Sequence, residues 1–252
     1  MRFSACIEWL FAAEAPDVAD RIRLARDAGL DAVEFWRHSN KDLAAVRAAL
    51  AETRLPLAGI LCEPIAPLGN SDAHPAFLEG VRRSLSAARQ LGAGMLIAQA
   101  GDDQPGISRP AQHAAIVRVL REAAGLLEGS GVVLALEPLN DRVDHPGYYL
   151  TSTVEGLDIV DEVGRPEIRL IYDIYHSAVM GEATDKVLAG RVDRLAHVHL
   201  ADAPGRGAPG SGGMDYAERL AWLAKAGYAG LVGLEYRPGG PTLPTLGFRE
   251  RL

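Results

Sequence analysis

Cysteine is scarce in this 252-residue chain: there are two, Cys6 and Cys62. That is too few for the disulfide framework of a small secreted domain, so a reducing, cytoplasmic setting is expected. No run of 18 apolar residues occurs, which argues against a membrane-spanning helix. The first ten residues lack the basic stretch, apolar core and small-residue cleavage site of a secretory leader, and none is expected. Excess positive charge is missing as well. The 26 Lys and Arg are outnumbered by 33 Asp and Glu, for a net charge of −7. Broad binding to a phosphate backbone is therefore disfavoured, and neither a nucleic-acid nor a membrane partner is expected. Glycine and proline show no period, which removes collagen-like readings. No Gly-x-Gly-x-x-Gly follows the first apolar segment, which counts against a dinucleotide-binding open sheet.

What is present is a recurring unit of helix, glycine and short apolar strand. It appears at Ala25–Phe35, again at Ala88–Ala98 and again at Leu223–Glu235, with Gly29, Gly92 and Gly227 placed as left-handed helix ends. The glycines lie 63 and 135 residues apart, about two and four units of the roughly 31 residues expected of one βα unit in an eight-unit barrel. Apolar runs predict strands near 3–8, 32–36, 57–61, 95–99, 132–137, 169–173, 195–200 and 231–235, with amphipathic helical patterns between them. Alternating strands and helices imply a parallel sheet. The expected fold is α/β, a single (β/α)8 TIM-barrel domain over 1–252, with an open doubly wound sheet as the alternative.

In such a barrel the carboxyl ends of the strands carry the site. The last four strands close on Glu137, Asp173, His199 and Glu235. The two-residue period of a strand places Ala135 with Glu137, Ile171 with Asp173, His197 with His199 and Gly233 with Glu235 on one face each. If those faces point inward, three carboxylates and one imidazole meet at one rim. That oxygen-rich set suits a divalent Mn²⁺ or Mg²⁺ ion, or Co²⁺, better than a tetrahedral zinc site. His197 is read as a deeper core or supporting residue, Glu8 and Glu34 as either pocket lining or salt-bridge partners, and Trp9 and Trp36 as packing residues that could also wall the pocket. His38, His74, His113 and His145 fit no ligand spacing and are read as surface residues.

Several motifs then stand together: Leu136-Glu137-Pro138-Leu139-Asn140, Pro146-Gly147-Tyr148-Tyr149-Leu150, Tyr172-Asp173-Ile174-Tyr175-His176, His197-Val198-His199, Pro204-Gly205-Arg206, Gly210-Ser211-Gly212 and Gly233-Leu234-Glu235-Tyr236. Jointly they resemble the hydroxypyruvate isomerase family, within the xylose-isomerase-like barrels that also include ketose 3-epimerases. The resemblance runs from Phe3 to Tyr236. It implies that Glu137 and Glu235 bind the metal and exchange protons with the substrate, and that Asp173 and His199 complete the metal sphere. It also implies that His176 contacts a substrate oxygen and Arg206 the far end of the substrate. The implied activity is a metal-dependent isomerisation of a small hydroxy-keto acid, with a ketose 3-epimerase as the alternative; a sugar-binding barrel without turnover and a DNA repair nuclease are more distant readings. Two positions depart from the family pattern. His199 stands where hydroxypyruvate isomerases often carry Gln, and Val143, with Asp144 beside it, stands where relatives commonly have an acidic residue. The partner expected is a small-molecule substrate. A homo-oligomer is left open, as is the place of the Gly- and Pro-rich tail at 238–252, over the barrel mouth or against another subunit.

Overall fold

The computed structural model describes every residue from Met1 to Leu252. Eight parallel strands close into a barrel in chain order: β1 (Arg2–Cys6), β2 (Ala32–Phe35), β3 (Leu57–Leu61), β4 (Met95–Gln99), β5 (Val133–Glu137), β6 (Ile168–Asp173), β7 (Leu195–Leu200) and β8 (Leu231–Leu234). β8 pairs back onto β1, with Phe3 opposite Val232 and Ser4 opposite Gly233. Helices α1 (Val18–Asp27), α2 (Leu43–Thr53), α3 (His74–Leu91), α4 (Arg109–Leu127), α5 (Thr153–Val163), α6 (Ile174–Met180), α7 (Thr184–Val187) and α8 (Tyr216–Lys225) fill the connections. This is the (β/α)8 barrel read from the sequence. The first strand stops at Cys6, so Glu8 lies in the turn beyond it.

Local chemistry places the helix ends where the sequence signals them. Asp17 accepts from the Ala19 amide at 2.7 Å, and Asp42 from those of Ala44 and Ala45, satisfying amides that the first helical turn leaves unpaired. Gly29, Gly92 and Gly227 all adopt positive φ at or just after helix ends, a conformation that costs glycine little.

Two apolar regions result. A large one lies between the barrel and its helices. A small one, of Leu61, Met95, Ile97, Ala135 and Ile171, fills the lumen on the β3–β6 side. The lumen wall from β7 through β2 carries polar groups instead: His197, His199, Ser4, Cys6 and Glu34, all buried. Packed side chains thus close the barrel floor, as is usual for this architecture, and the upper rim is left for chemistry.

The tail is settled by packing. Leu243–Arg251 forms a 3-10 segment, not an α-helix. Phe248 meets the rings of Phe3 and Tyr216 edge-on at 5.7 and 5.8 Å. Arg249 donates to the carbonyls of Ala28 and Gly29, and Thr242 Oγ1 accepts from the Phe11 amide. The segment therefore covers the outside of β1 between α1 and α8, where an eighth crossover helix would stand, and not the barrel mouth.

Candidate active site

The rim cluster forms as strand periodicity requires. One donor atom from each of Glu137, Asp173, His199 and Glu235 lies within 4.8 Å of all the others, and all four residues are buried. The β6–β7 register sets Asp173 directly opposite His199. His199 Nδ1 is 2.7 Å from Glu137 Oε1 and 3.9 Å from Glu235 Oε2.

Asp173 serves two elements at once. It ends β6 and caps α6, its Oδ1 accepting from the amides of Tyr175 and His176 at 2.7 and 3.0 Å. Its Oδ2 faces the site instead, 3.9 Å from Arg206 Nη2 and 3.7 Å from His176 Nε2. The single helical turn between Asp173 and His176 is why the Tyr-Asp-Ile-Tyr-His motif brings both to the same place.

His176 is held in one tautomer. Its Nδ1 accepts from the Asn140 backbone amide at 3.0 Å and side-chain amide at 2.7 Å, so Nε2 carries the hydrogen. That Nε2 is buried and has no partner in the protein. Burial, aided by the nearby Arg206 charge, pushes the imidazole pKa down to about 2, and His176 stays a neutral donor.

Arg206 enters from the loop after β7, on a backbone with φ of 53°. Its Nη2 lies 2.5 Å from Glu235 Oε2, and its guanidinium stacks between Trp9 and Tyr175, 4.9 and 5.3 Å from their centroids. The other Glu235 oxygen, Oε1, accepts from Trp36 Nε1 at 2.7 Å. Burial raises the carboxyl pKa of Glu235, but His199, Arg206 and the Trp36 hydrogen bond outweigh it and hold the group ionised. Glu137 and Asp173 go the other way. Burial raises both, with neighbouring carboxylate charge adding to it, beyond what His199 and Arg206 take back.

A support layer lies directly beneath. Glu34 Oε1 is 3.3 Å from His199 Nε2, and Glu34 Oε2 is 2.8 Å from His197 Nε2 and accepts from Ser4 Oγ. Burial alone would raise the Glu34 pKa, but His197 and His199 hold it well below the usual carboxylate range. Glu34 is therefore a salt-bridge partner within the lumen, and His197 is the deeper supporting residue expected. With His199 Nε2 turned to Glu34, its Nδ1 faces the three rim carboxylates. An imidazole with one nitrogen toward a carboxylate and the other toward a site is the usual posture of a metal ligand. The donor set and this posture fit a divalent cation.

Above the cluster opens a cleft of about 390 Å³ lined by Trp9, Trp36, Arg37, Ile97, Gln99, Asp144, His145 and Arg237 among others. Trp9 and Trp36 pack against each other edge-on at 5.0 Å while walling it. Val143 is 65% exposed, and its neighbour Asp144 turns inward, accepting from Asn140 Nδ2 and Tyr175 OH at 2.7 Å each. Glu8 is bound to Lys41 Nζ and the Trp36 amide, a salt-bridge role. Of the four histidines read as surface residues, His74 is corrected, being buried, while His38, His113 and His145 are partly exposed. His74 is buried against the Leu68 carbonyl, His38 pairs with Ser84, His113 lies between Glu155 and Glu162, and His145 lines the cleft with its ring 5.5 Å from that of His176. Ligand spacing reports only motifs, and these contacts arise where distant loops fold back. Asn140 and Arg237 carry no sequence signal for a site role, for the same reason, whereas Trp36 walls the pocket as the sequence allowed.

An eight-stranded parallel barrel with a carboxylate–imidazole cluster at its carboxyl rim defines the class, and residues 22–250 match the xylose isomerase-like TIM barrel family. The hydroxypyruvate isomerase of Escherichia coli K12 is 31% identical, over 94% of this chain and 94% of its own. The 2-oxo-tetronate isomerase of Pectobacterium atrosepticum is 27% identical over 99% and 97%. A crystal structure described as an AP endonuclease, family 2, from Brucella melitensis superposes with a TM-score of 0.92 at 28% identity, over 99% and 98% of the two chains. The chain belongs to the hydroxypyruvate isomerase family and is an isomerase. No helix is long and apolar enough to cross a membrane.

Proposed function

We propose that the protein interconverts hydroxypyruvate and tartronate semialdehyde, with a divalent cation, Mn²⁺ or Mg²⁺, held by Glu137, Asp173, His199 and Glu235. The observation that carries this reading is the convergence of these four buried side chains within 4.8 Å of one another, in a chain whose relatives are isomerases. A cation bound there supplies Lewis-acid polarisation of the substrate's carbonyl and hydroxyl oxygens.

The chain's own groups do the rest. Removing a proton from C3 of hydroxypyruvate gives an enediolate spanning C2 and C3; once the C3 hydroxyl proton has passed to the C2 oxygen, returning a proton to C2 gives the aldehyde. Glu137 and Glu235, on separate strands, are the carboxylates that take and return these protons. General acid–base transfer of this kind is typically worth about 10²–10⁴-fold. His176, fixed as a neutral Nε2–H donor, hydrogen-bonds the substrate oxygen on which charge develops. Arg206 keeps the Glu235 carboxylate ionised, and its Nη2, 2.5 Å from Glu235 and 3.9 Å from Asp173, supports a contact near the reacting carbons in place of the far-end contact that the resemblance implies. Trp9 and Trp36 limit water at the cleft.

Incubation with hydroxypyruvate in D₂O, followed by proton NMR, tests the reading: deuterium enters C3 and aldehyde appears. Glu137→Gln and Glu235→Gln each lose exchange by at least about a hundred-fold while the circular dichroism spectrum is kept; full exchange in either variant removes the two-glutamate mechanism. His199, which many sugar epimerases carry at this position, favours a second reading. Exchange confined to C3 of a ketose, with inversion, assigns the same residues to a 3-epimerase.

A further inference from the structure

A hydroxy-keto acid brings a carboxylate into a site already crowded with them. Glu137, Asp173 and Glu235 form the rim cluster, Asp144 lies 3.9 Å from Arg206 Nη1, and Glu34 lies just below His199. Arg206 is spent within this group, at 2.5 Å from Glu235 and 3.9 Å from Asp173. Lys41 is spent on Glu8. Five carboxylates face one guanidinium here, and that guanidinium is already matched. An anionic substrate needs positive charge that is not already matched.

Two such groups line the cleft. Arg37 and Arg237 are exposed, and neither forms an ion pair with any carboxylate, whereas Lys41 and Arg206 both do. Both are tied by position to the residues that hold Glu235. Arg37 follows Trp36, which donates to Glu235 Oε1. Arg237 follows Glu235 by two residues, and its backbone amide donates to the Arg206 carbonyl at 2.8 Å. The Arg237 guanidinium rests 5.2 Å from the Trp9 ring centroid, the same ring that carries Arg206. The aromatic contact restrains the side chain over the cleft and leaves its hydrogen-bond donors for a ligand.

We propose that Arg37 and Arg237 are the receptor for the substrate's carboxylate, and that they give the enzyme its preference for acids over neutral ketoses. The inference rests on the isomerase reading above and deepens it. The two arginines are specificity-determining residues, and the chemistry at C2 and C3 stays with the buried cluster. They also draw anions toward an otherwise acidic mouth, an effect that salt screens.

The experiment compares wild type with Arg37→Ala, Arg237→Ala and the double variant on hydroxypyruvate and on dihydroxyacetone, a neutral ketose of the same length. For the double variant, kcat/KM on hydroxypyruvate falls at least about ten-fold further than on dihydroxyacetone, mainly through KM, because a charge-assisted hydrogen bond is lost from binding. Its salt dependence flattens in parallel. Calorimetric affinity for tartronate, a non-reacting three-carbon acid, falls with it, and Arg237→Lys retains more of that affinity than Arg237→Ala. If wild type turns over hydroxypyruvate and the double variant loses no more on the acid than on the ketose, the arginine proposal is overturned and the isomerase reading stands. If wild type acts on neutral ketoses and rejects hydroxypyruvate, both fall together.

Discussion

At the scale of single residues, Gly233 shows how tightly the support layer is built. A Cβ there would lie 2.3 Å from Glu34 Oε1, 2.6 Å from His197 Nε2 and 2.8 Å from His199 Cδ2. Only a missing side chain on β8 lets a carboxylate and two imidazoles share this level of the lumen. Gly233→Ala is expected to cost about 1–3 kcal/mol, the usual cost of overpacking, and to displace His199. Chemical denaturation measures the first effect and Mn²⁺ affinity the second, and a variant with unchanged affinity would uncouple this layer from the rim. The four rim residues were legible in the sequence because each lies at or within one residue of a strand end whose period-2 face can be counted. Glu34 was legible only as one of two alternatives, since its imidazole partners lie on β7, more than 160 residues away along the chain. Asn140 carries no pattern of its own, yet it fixes the His176 tautomer.

At the scale of elements, caps and glycines were readable and the last segment was not. Asp17 and Gly29 bound α1 through backbone chemistry that is local in sequence. The tail has no apolar period, and what holds it is packing against Phe3 and Tyr216. Its role is thus structural and distant from the chemistry. Phe248→Ala removes a buried ring and is expected to cost about 3–5 kcal/mol. For a protein of this size that lowers Tm by roughly 6–20 °C, with kcat of the surviving folded protein close to wild type. A large loss of kcat without a loss of Tm would mean that the segment reaches the site after all.

At the scale of the whole molecule, the lumen is divided. The β3–β6 side is apolar below the rim, the side running from β7 through β2 holds buried charge, and the proposed cation would join rim ligands from both, Glu137 and Asp173 from one and His199 and Glu235 from the other. The proposed metal therefore belongs to the stability of the barrel as well as to its chemistry. Saturating Mn²⁺ at about 100 times its Kd stabilises the native state by about 2.7 kcal/mol, and EDTA is expected to lower Tm by several degrees, reversed on adding the ion back. A melting curve indifferent to both would argue against the cluster as a metal centre. That the barrel itself could be read from the sequence follows from its regularity, since eight similar units each repeat the same local signals.

Closure of the ring has a consequence for how the protein is made. β1, the first barrel strand to be synthesised, has its partner in β8, the last, with Phe3 set against Val232, and Glu235 follows that last strand. Domains tend to fold as they emerge from the ribosome, but this one cannot seal until its eighth strand has been made. A nascent chain stalled before β8 carries an open sheet whose two bare edges can pair with other chains. It also lacks one of the two glutamates proposed to move protons, so the catalytic centre and the sealed barrel come into being in the same late event of translation.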